Sequence, residues 1–466
     1  MKLRKVITSF IIFLHLIANT NFADAQSKFS DCLLEASSNQ AVSLGKPLAK
    51  ERLGGKAKLK IGVIPFNFSD SPTKILSESD KSDYQSAVKK IEEISDGNVK
   101  IDLHFLPTIN ANISIVEFKS KYVDQDKSWS DSNLPNSTWG FIKKLIQSGD
   151  DYVNYSGFDS VVFEGNNTNK SISGAEAFDF FESSEGNNFG LASSEYFRTV
   201  KTNEGFINNA VFLDSHKSPN TIAHELFHNF GLTDLYGGSP GPGLMSLMSA
   251  GAPRLLNYER AVLGWFPIEQ FKCSNIENYL NLQQVSNKIE LNDLNQESIL
   301  LLKKSDSEAY LVEVTKYEGK SILLVYLLEQ EKRPPITLSW NPKLTYFSVY
   351  DLRDPNNIGS YYVTEDFNLV IVNSVGRIAT LNLIPRALVY SEEAKKLISE
   401  SLINREVALS KASEAKAKFE METKVTATPS PTQSKIKQTT ITCFKGKAIK
   451  KVSSVNPKCP AGYKKK

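Results

Sequence analysis

The chain has 466 residues, 41% apolar and 23% charged, a globular composition long enough for two or three domains rather than one core. A formal net charge of +3 is too near neutral for the chain as a whole to be a nucleic-acid binder, so no nucleic-acid partner is expected.

Residues 1–25 have the layout of a signal peptide: a basic start (MKLRK), an apolar run (VITSFIIFLHLIA) short for a bilayer span, and Ala23 and Ala25 ahead of Gln26. The competing reading is an uncleaved membrane anchor. No later stretch is apolar enough to cross a bilayer, so a secreted or cell-surface protein is expected, with no transmembrane segment after the leader. Export makes the four cysteines legible as two disulfides. Cys443 and Cys459 are neighbours and pair most simply, which leaves Cys32 with Cys273; a Cys32 thiolate latch on a metal is the alternative.

Residues 26–56 are polar with little pattern and read as an N-terminal leader or wrap. Strand and helix signals then alternate: strand KLKIGVIPFN, helix DYQSAVKKIEEISDG closed by Gly97, strand NVKIDLHFLPTI, helix STWGFIKKLIQSG, strand GFDSVVFEGN. Two further strand candidates, GNNFGLASSEYF and GFINNAVFLDS, follow. This alternation over 57–270 predicts an α/β (α+β) domain with a mixed sheet. From 271 to 390 the texture changes to short β runs (SILLLKK, AYLVEVTKY, SILLVYLLEQ, ITLSW, YFSVYDL, NLVIVN, IATLNLI), which predicts a β-rich, sandwich-like accessory domain. An Ala/Glu/Lys-rich stretch at 391–424 reads as a long helix or coiled-coil stalk. Residues 425–438 are a Pro/Ser/Thr linker, and 439–466 a tail with eight lysines, two cysteines and no acidic residue.

The chemistry is concentrated in TIAHELFHNFGLTDLY, residues 221–236. Ser218 and Pro219 read as N-cap and first helical position, and Gly231 as the stop. On such a helix His224 and His228 stand one turn apart on one face, the spacing at which two imidazoles reach one zinc ion. Glu225 lies beside them, placed to act as general base toward a water molecule. Two carboxylates compete for the third ligand position. Asp234 follows His228 by six residues around a turn that Gly231 permits, and Glu259 lies in the later segment LLNYERAVLGW. Glycine and spacing favour Asp234. His104 alternates with apolar neighbours and reads as a half-buried core histidine; His216 has no motif around it.

HELFHNFGLTDLYGG, GLMSLMSAG and APRLLNYERAVLGWFP together resemble the immune inhibitor A family of secreted, metzincin-like metallopeptidases, over about residues 200–268 and less closely back to 59. The resemblance implies zinc held by His224, His228 and Asp234, with Glu225 as the catalytic base hydrolysing peptide bonds. It implies that Met248, rather than Met245, forms an apolar floor under the metal. It also implies a metzincin-like fold, and a tyrosine, Tyr236 or Tyr258, at the oxyanion. Around Phe189–Ser194 it implies an edge strand along which an extended peptide lies. Thr233 and Asn229 depart from the family pattern. Calcium sites are not legible. Protein or peptide substrates are the implied partners, and the Lys-rich tail adds an anionic wall or surface polymer as a candidate. The rival class is a non-catalytic adhesion or display protein that retains a structural zinc. Its weakness is the intact Glu225, for which a structural metal has no need.

Overall fold

A computed structural model describes residues 32–36, 42–48, 52–123, 138–166, 175–179, 200–215, 217–236, 242–250, 252–278, 280, 287–291, 294, 296–330, 343–375, 378–426, 439–446 and 448–465. The leader at 1–25, the expected strand at 186–197 with its Phe189–Ser194 edge, ITLSW, His216 and the 427–438 part of the linker lie outside them.

The first layer is a mixed sheet. It comprises β1 (Lys58–Asn67), β2 (Lys100–Phe105), β3 (Ser160–Glu164), β4 (Ala175–Asp179) and β5 (Asn209–Leu213) in the order β2-β1-β3-β5-β4. β1, β2, β3 and β5 run parallel, and β4 is antiparallel to β5 at the edge. β1 reads as a near-continuous apolar run because helices cover a parallel sheet on both faces. One face packs under α1 (Glu78–Ile94), through Tyr84, Ala87 and Ile91. The other holds Phe66, Phe163 and Phe212 against Phe141 and Leu145 of α2 (Thr138–Gly149). α1 begins at Ser77, whose hydroxyl accepts the Asp80 amide while the Asp80 carboxylate accepts the Ser77 amide.

Two more sheets follow. One contains β6 (Phe271–Asn275), β8 (Ser298–Ser305), β9 (Glu308–Tyr317), β10 (Lys320–Glu329) and β11 (Lys343–Asp351) in the order β11-β10-β9-β8-β6. The other contains β7 (Asn287–Leu291), β12 (Tyr361–Val363), β13 (Phe367–Val375) and β14 (Ile378–Pro385) in the order β7-β14-β13-β12. Leu302, Val312, Leu323 and Val325 of the first sheet meet Phe367, Leu369, Leu381 and Leu383 of the second. The alternate residues Leu301, Leu311, Leu324 and Tyr326 point the other way. They join one apolar cluster with Leu226 and Phe227 of α3 (Pro219–Phe230) and Tyr258 and Ala261 of α4 (Asn257–Val262). The core therefore runs across residue 270, and the described chain up to Arg405 is one compact unit.

Residues 32–56 contribute to that core despite their polar look: Leu33, Leu34, Leu44 and Leu53 are buried in the same cluster. The Cys32–Cys273 disulfide ties this strap to β6. The Leu34 amide donates to the Tyr258 hydroxyl at 3.1 Å, and the Ser43 amide to the Gly231 carbonyl at 2.8 Å. α5 (Glu392–Thr426) starts in this unit, where Ala394 packs on Val370 and Ile384. Among the described residues no helix is long and apolar enough to cross a membrane.

The second unit, Glu406–Lys466, holds the remainder of α5 and a small sheet of β15 (Thr439–Lys445), β16 (Ala448–Ser454) and β17 (Lys464–Lys465), bridged by Cys443–Cys459.

Candidate metal centre

α3 is built as its sequence dictates. The Ser218 hydroxyl accepts the Thr221 amide at 3.3 Å, Pro219 opens the first turn, and Gly231 ends the helix at φ 105°. A Cβ at position 231 would sit 3.1 Å from Arg52 and Leu48 of the strap, so the glycine answers both a positive φ and a close approach. Ala223, Leu226, Phe227 and Phe230 are buried and fix the helix, with Phe227 and Phe230 packed on Trp265. Asn229, one of the departures from the family pattern, is buried and accepts the Ser160 hydroxyl at 2.7 Å. Thr233 is likewise buried.

His224 and His228 leave the same face, their rings 5.0 Å apart and nearly perpendicular. Their Nδ1 atoms are tied to backbone carbonyls: His224 to Leu247 at 2.9 Å and His228 to Leu232 at 2.7 Å. A carbonyl only accepts, so each Nδ1 carries a proton and each Nε2 is the nitrogen turned toward a cation, proton or metal. Both Nε2 atoms converge on Asp234 Oδ1, at 3.1 Å and 3.3 Å, a buried oxygen that no backbone amide satisfies. Two lone-pair nitrogens do not approach a carboxylate oxygen this closely without a cation between them, either a proton or a metal. Zinc bonds of 2.0–2.1 Å at tetrahedral angles would hold their donor atoms ~3.3 Å apart, so the donor set fits zinc in both chemistry and spacing.

The histidine pair has a second carboxylate neighbour. Glu225, His224 and His228 offer ligand atoms that all lie within 4.8 Å of one another. Asp234 Oδ1 is the carboxylate oxygen in direct contact with both imidazole Nε2 atoms. Glu225 is buried, and burial lifts its carboxyl to about 7 against the opposing pull of His228 and His224. Burial disfavours the charged form of His228, but hydrogen bonding and attraction to Asp234 outweigh it and bring the imidazole up to about 9. Burial opposes ionisation of Asp234 too, yet the two histidines hold it well below the usual carboxylate range.

Tyr236 stacks on His224 with ring centroids 5.9 Å apart, and its hydroxyl lies 3.1 Å from His224 Nε2. Tyr258 does not reach the site, because its buried hydroxyl receives the Leu34 amide. Glu259, the competing third ligand, is also engaged elsewhere. It is fully buried, and its Oε2 accepts the Ser246 hydroxyl at 2.8 Å and the Leu256 amide at 2.7 Å. The Ser246 hydroxyl in turn accepts the Met248 amide at 3.0 Å, and the Met248 carbonyl accepts the Leu235 amide at 2.7 Å. Met248 is fully buried in the cluster with Phe227 and Leu235, whereas Met245 is only partly buried. His104 is half-buried on β2 next to Asp102, and contributes nothing here.

The segment Ser246–Met248 thus grips the site at two points, the His224 ring and the chain just after Asp234. It is itself held by Glu259, and α4 is anchored in the accessory sheet by Glu313, which accepts the Asn257 and Tyr258 amides at 3.0 Å each. Ser246 and the Leu232 and Leu247 carbonyls were not legible as site groups, because a backbone carbonyl has no residue signature. Among the described residues the strand at the β5 edge is Ala175–Asp179.

No protein-family model matches the chain, and no curated protein matches it.

Proposed function

We propose that the chain is a zinc-dependent endopeptidase with a metzincin-like catalytic fold of the immune inhibitor A type, acting outside the cell. One observation carries this reading: two imidazole nitrogens and one carboxylate oxygen converge within 3.3 Å, with the buried Glu225 alongside. The export-type leader and two disulfides support the location.

His224, His228 and Asp234 would hold the zinc, which supplies Lewis acidity to acidify a water molecule and polarise the scissile carbonyl. The Leu247 and Leu232 carbonyls keep both imidazoles in the ligating tautomer. Glu225, buried beside the two imidazoles, takes the proton of the attacking water and returns it to the leaving amine. The Tyr236 hydroxyl donates to the oxygen on which negative charge develops. An extended substrate pairs along Ala175–Asp179, the sheet edge among the described residues.

The test compares the purified chain with Glu225→Ala and Asp234→Ala for zinc content and cleavage of an unfolded protein. The reading requires that wild type binds one zinc and cleaves, Glu225→Ala keeps zinc without cleaving, and Asp234→Ala loses both. Zinc without cleavage in the wild type would instead favour a display protein with a structural metal.

A further inference from the structure

The sheet β15–β17 carries a charge pattern that the metal centre does not use. Residues 439–466 contain eight lysines, no arginine and no acidic residue. Lys445, Lys450, Lys451, Lys458, Lys464 and Lys465 are all exposed. The register sets their sides. Cys443 pairs with Lys450 on one flank and Lys465 on the other, so these lysines share its face, as does Lys445 two residues on. Lys451 pairs with Thr442 and Lys464 with Phe444, on the opposite face. Positive charge is therefore distributed over both faces of a sheet only three strands wide.

We propose that residues 439–466 are a docking module for a linear polyol-phosphate polymer of the cell exterior. Three features select this partner. Lysine offers compact, rotatable point charges that follow a phosphodiester backbone, without the planar fork that arginine would bring to one fixed site. On the Cys443 face Lys450 and Lys465 flank the cysteine two strand spacings, ~10 Å, apart, a separation that charges one or two short repeats apart on a flexible chain can meet. A planar anionic bilayer touches one face at a time, whereas a flexible chain can pass around the edge and meet both. The Cys443–Cys459 bridge places the module where disulfides persist, which excludes cytosolic nucleic acid as its usual partner.

This proposal concerns the second unit alone and stands whether or not the first is a peptidase. The experiment uses the full chain, wild type against a variant carrying K450Q, K451Q, K464Q and K465Q, on immobilised polyglycerol phosphate from 50 to 200 mM salt. Phosphatidylglycerol-containing vesicles and single-stranded DNA serve as comparison surfaces. Wild type is expected to bind the polymer with affinity falling roughly 50-fold over that range if about four phosphates are neutralised. The variant, its 443–459 bridge verified by mass, is expected to lose binding at 50 mM. No wild-type binding at 50 mM, or undiminished binding by the variant, overturns the proposal. Vesicles or DNA binding as tightly as the polymer overturns the choice of partner.

Discussion

Glu259 makes a sharp test because it is a carboxyl with no exposure and one oxygen, Oε1, that no donor satisfies. Burial lifts it from 4.5 to about 8, against the stabilising bonds from Leu256 and Ser246. An acid whose folded-state pKa lies above its unfolded value binds its proton more tightly when folded. Its contribution is therefore fully present below 4.5 and is lost as pH rises toward 8. Between pH 5 and pH 8 the loss is on the order of 3 kcal/mol for this one group. Glu259→Gln keeps an oxygen to accept from Leu256 and Ser246 but does not titrate. Guanidinium unfolding at a series of pH values should show the variant gaining on wild type by that amount across the window, with the curves running parallel below pH 4. A stability difference that stays flat from pH 5 to 8 would refute the argument that this carboxyl is buried and neutral.

Three further outcomes follow from the same geometry. Ser246→Ala removes the link from Glu259 to Met248, and zinc affinity measured by competition with a chelator should fall at least ~10-fold while the fold persists. Tyr236→Phe should lower kcat by ~10²-fold with KM and zinc content little changed, whereas Tyr258→Phe should cost stability and leave kcat alone. Gly231→Ala forces a side chain to φ 105° against Arg52 and Leu48. It should lower unfolding stability by at least ~1 kcal/mol, and an unchanged denaturation midpoint would show that the strap does not press on this turn.

The parts of this molecule that were legible in its sequence are those set by local chemistry. α3 was marked at both ends, because a serine cap, a first-turn proline and a glycine stop each act within a few residues. β9 and β10 read as short β runs, and the structure explains their apolar content: the sheet they form is covered on both faces. That same double burial explains why a domain boundary at 270 could be drawn from texture while the core runs through it. The sequence shows that a strand is apolar but not which layer each face meets. The wrap at 26–56 was legible as a wrap, but its buried leucines were not, because an irregular segment buries single leucines with no period to detect. Glu259 and Tyr258 looked like site residues by proximity in sequence. Long-range partners, Ser246 and Leu34, decide otherwise, and no spacing encodes them.

The central claim is that His224, His228 and Asp234 hold one zinc ion. Zinc K-edge absorption on the purified chain, wild type beside Asp234→Ala, reads it directly. The account predicts one zinc per chain with two imidazole nitrogens at about 2.0–2.1 Å, oxygen for the remaining ligands and no sulfur, and an altered or empty shell in the variant. A sulfur ligand, or a shell unchanged by Asp234→Ala, would contradict it.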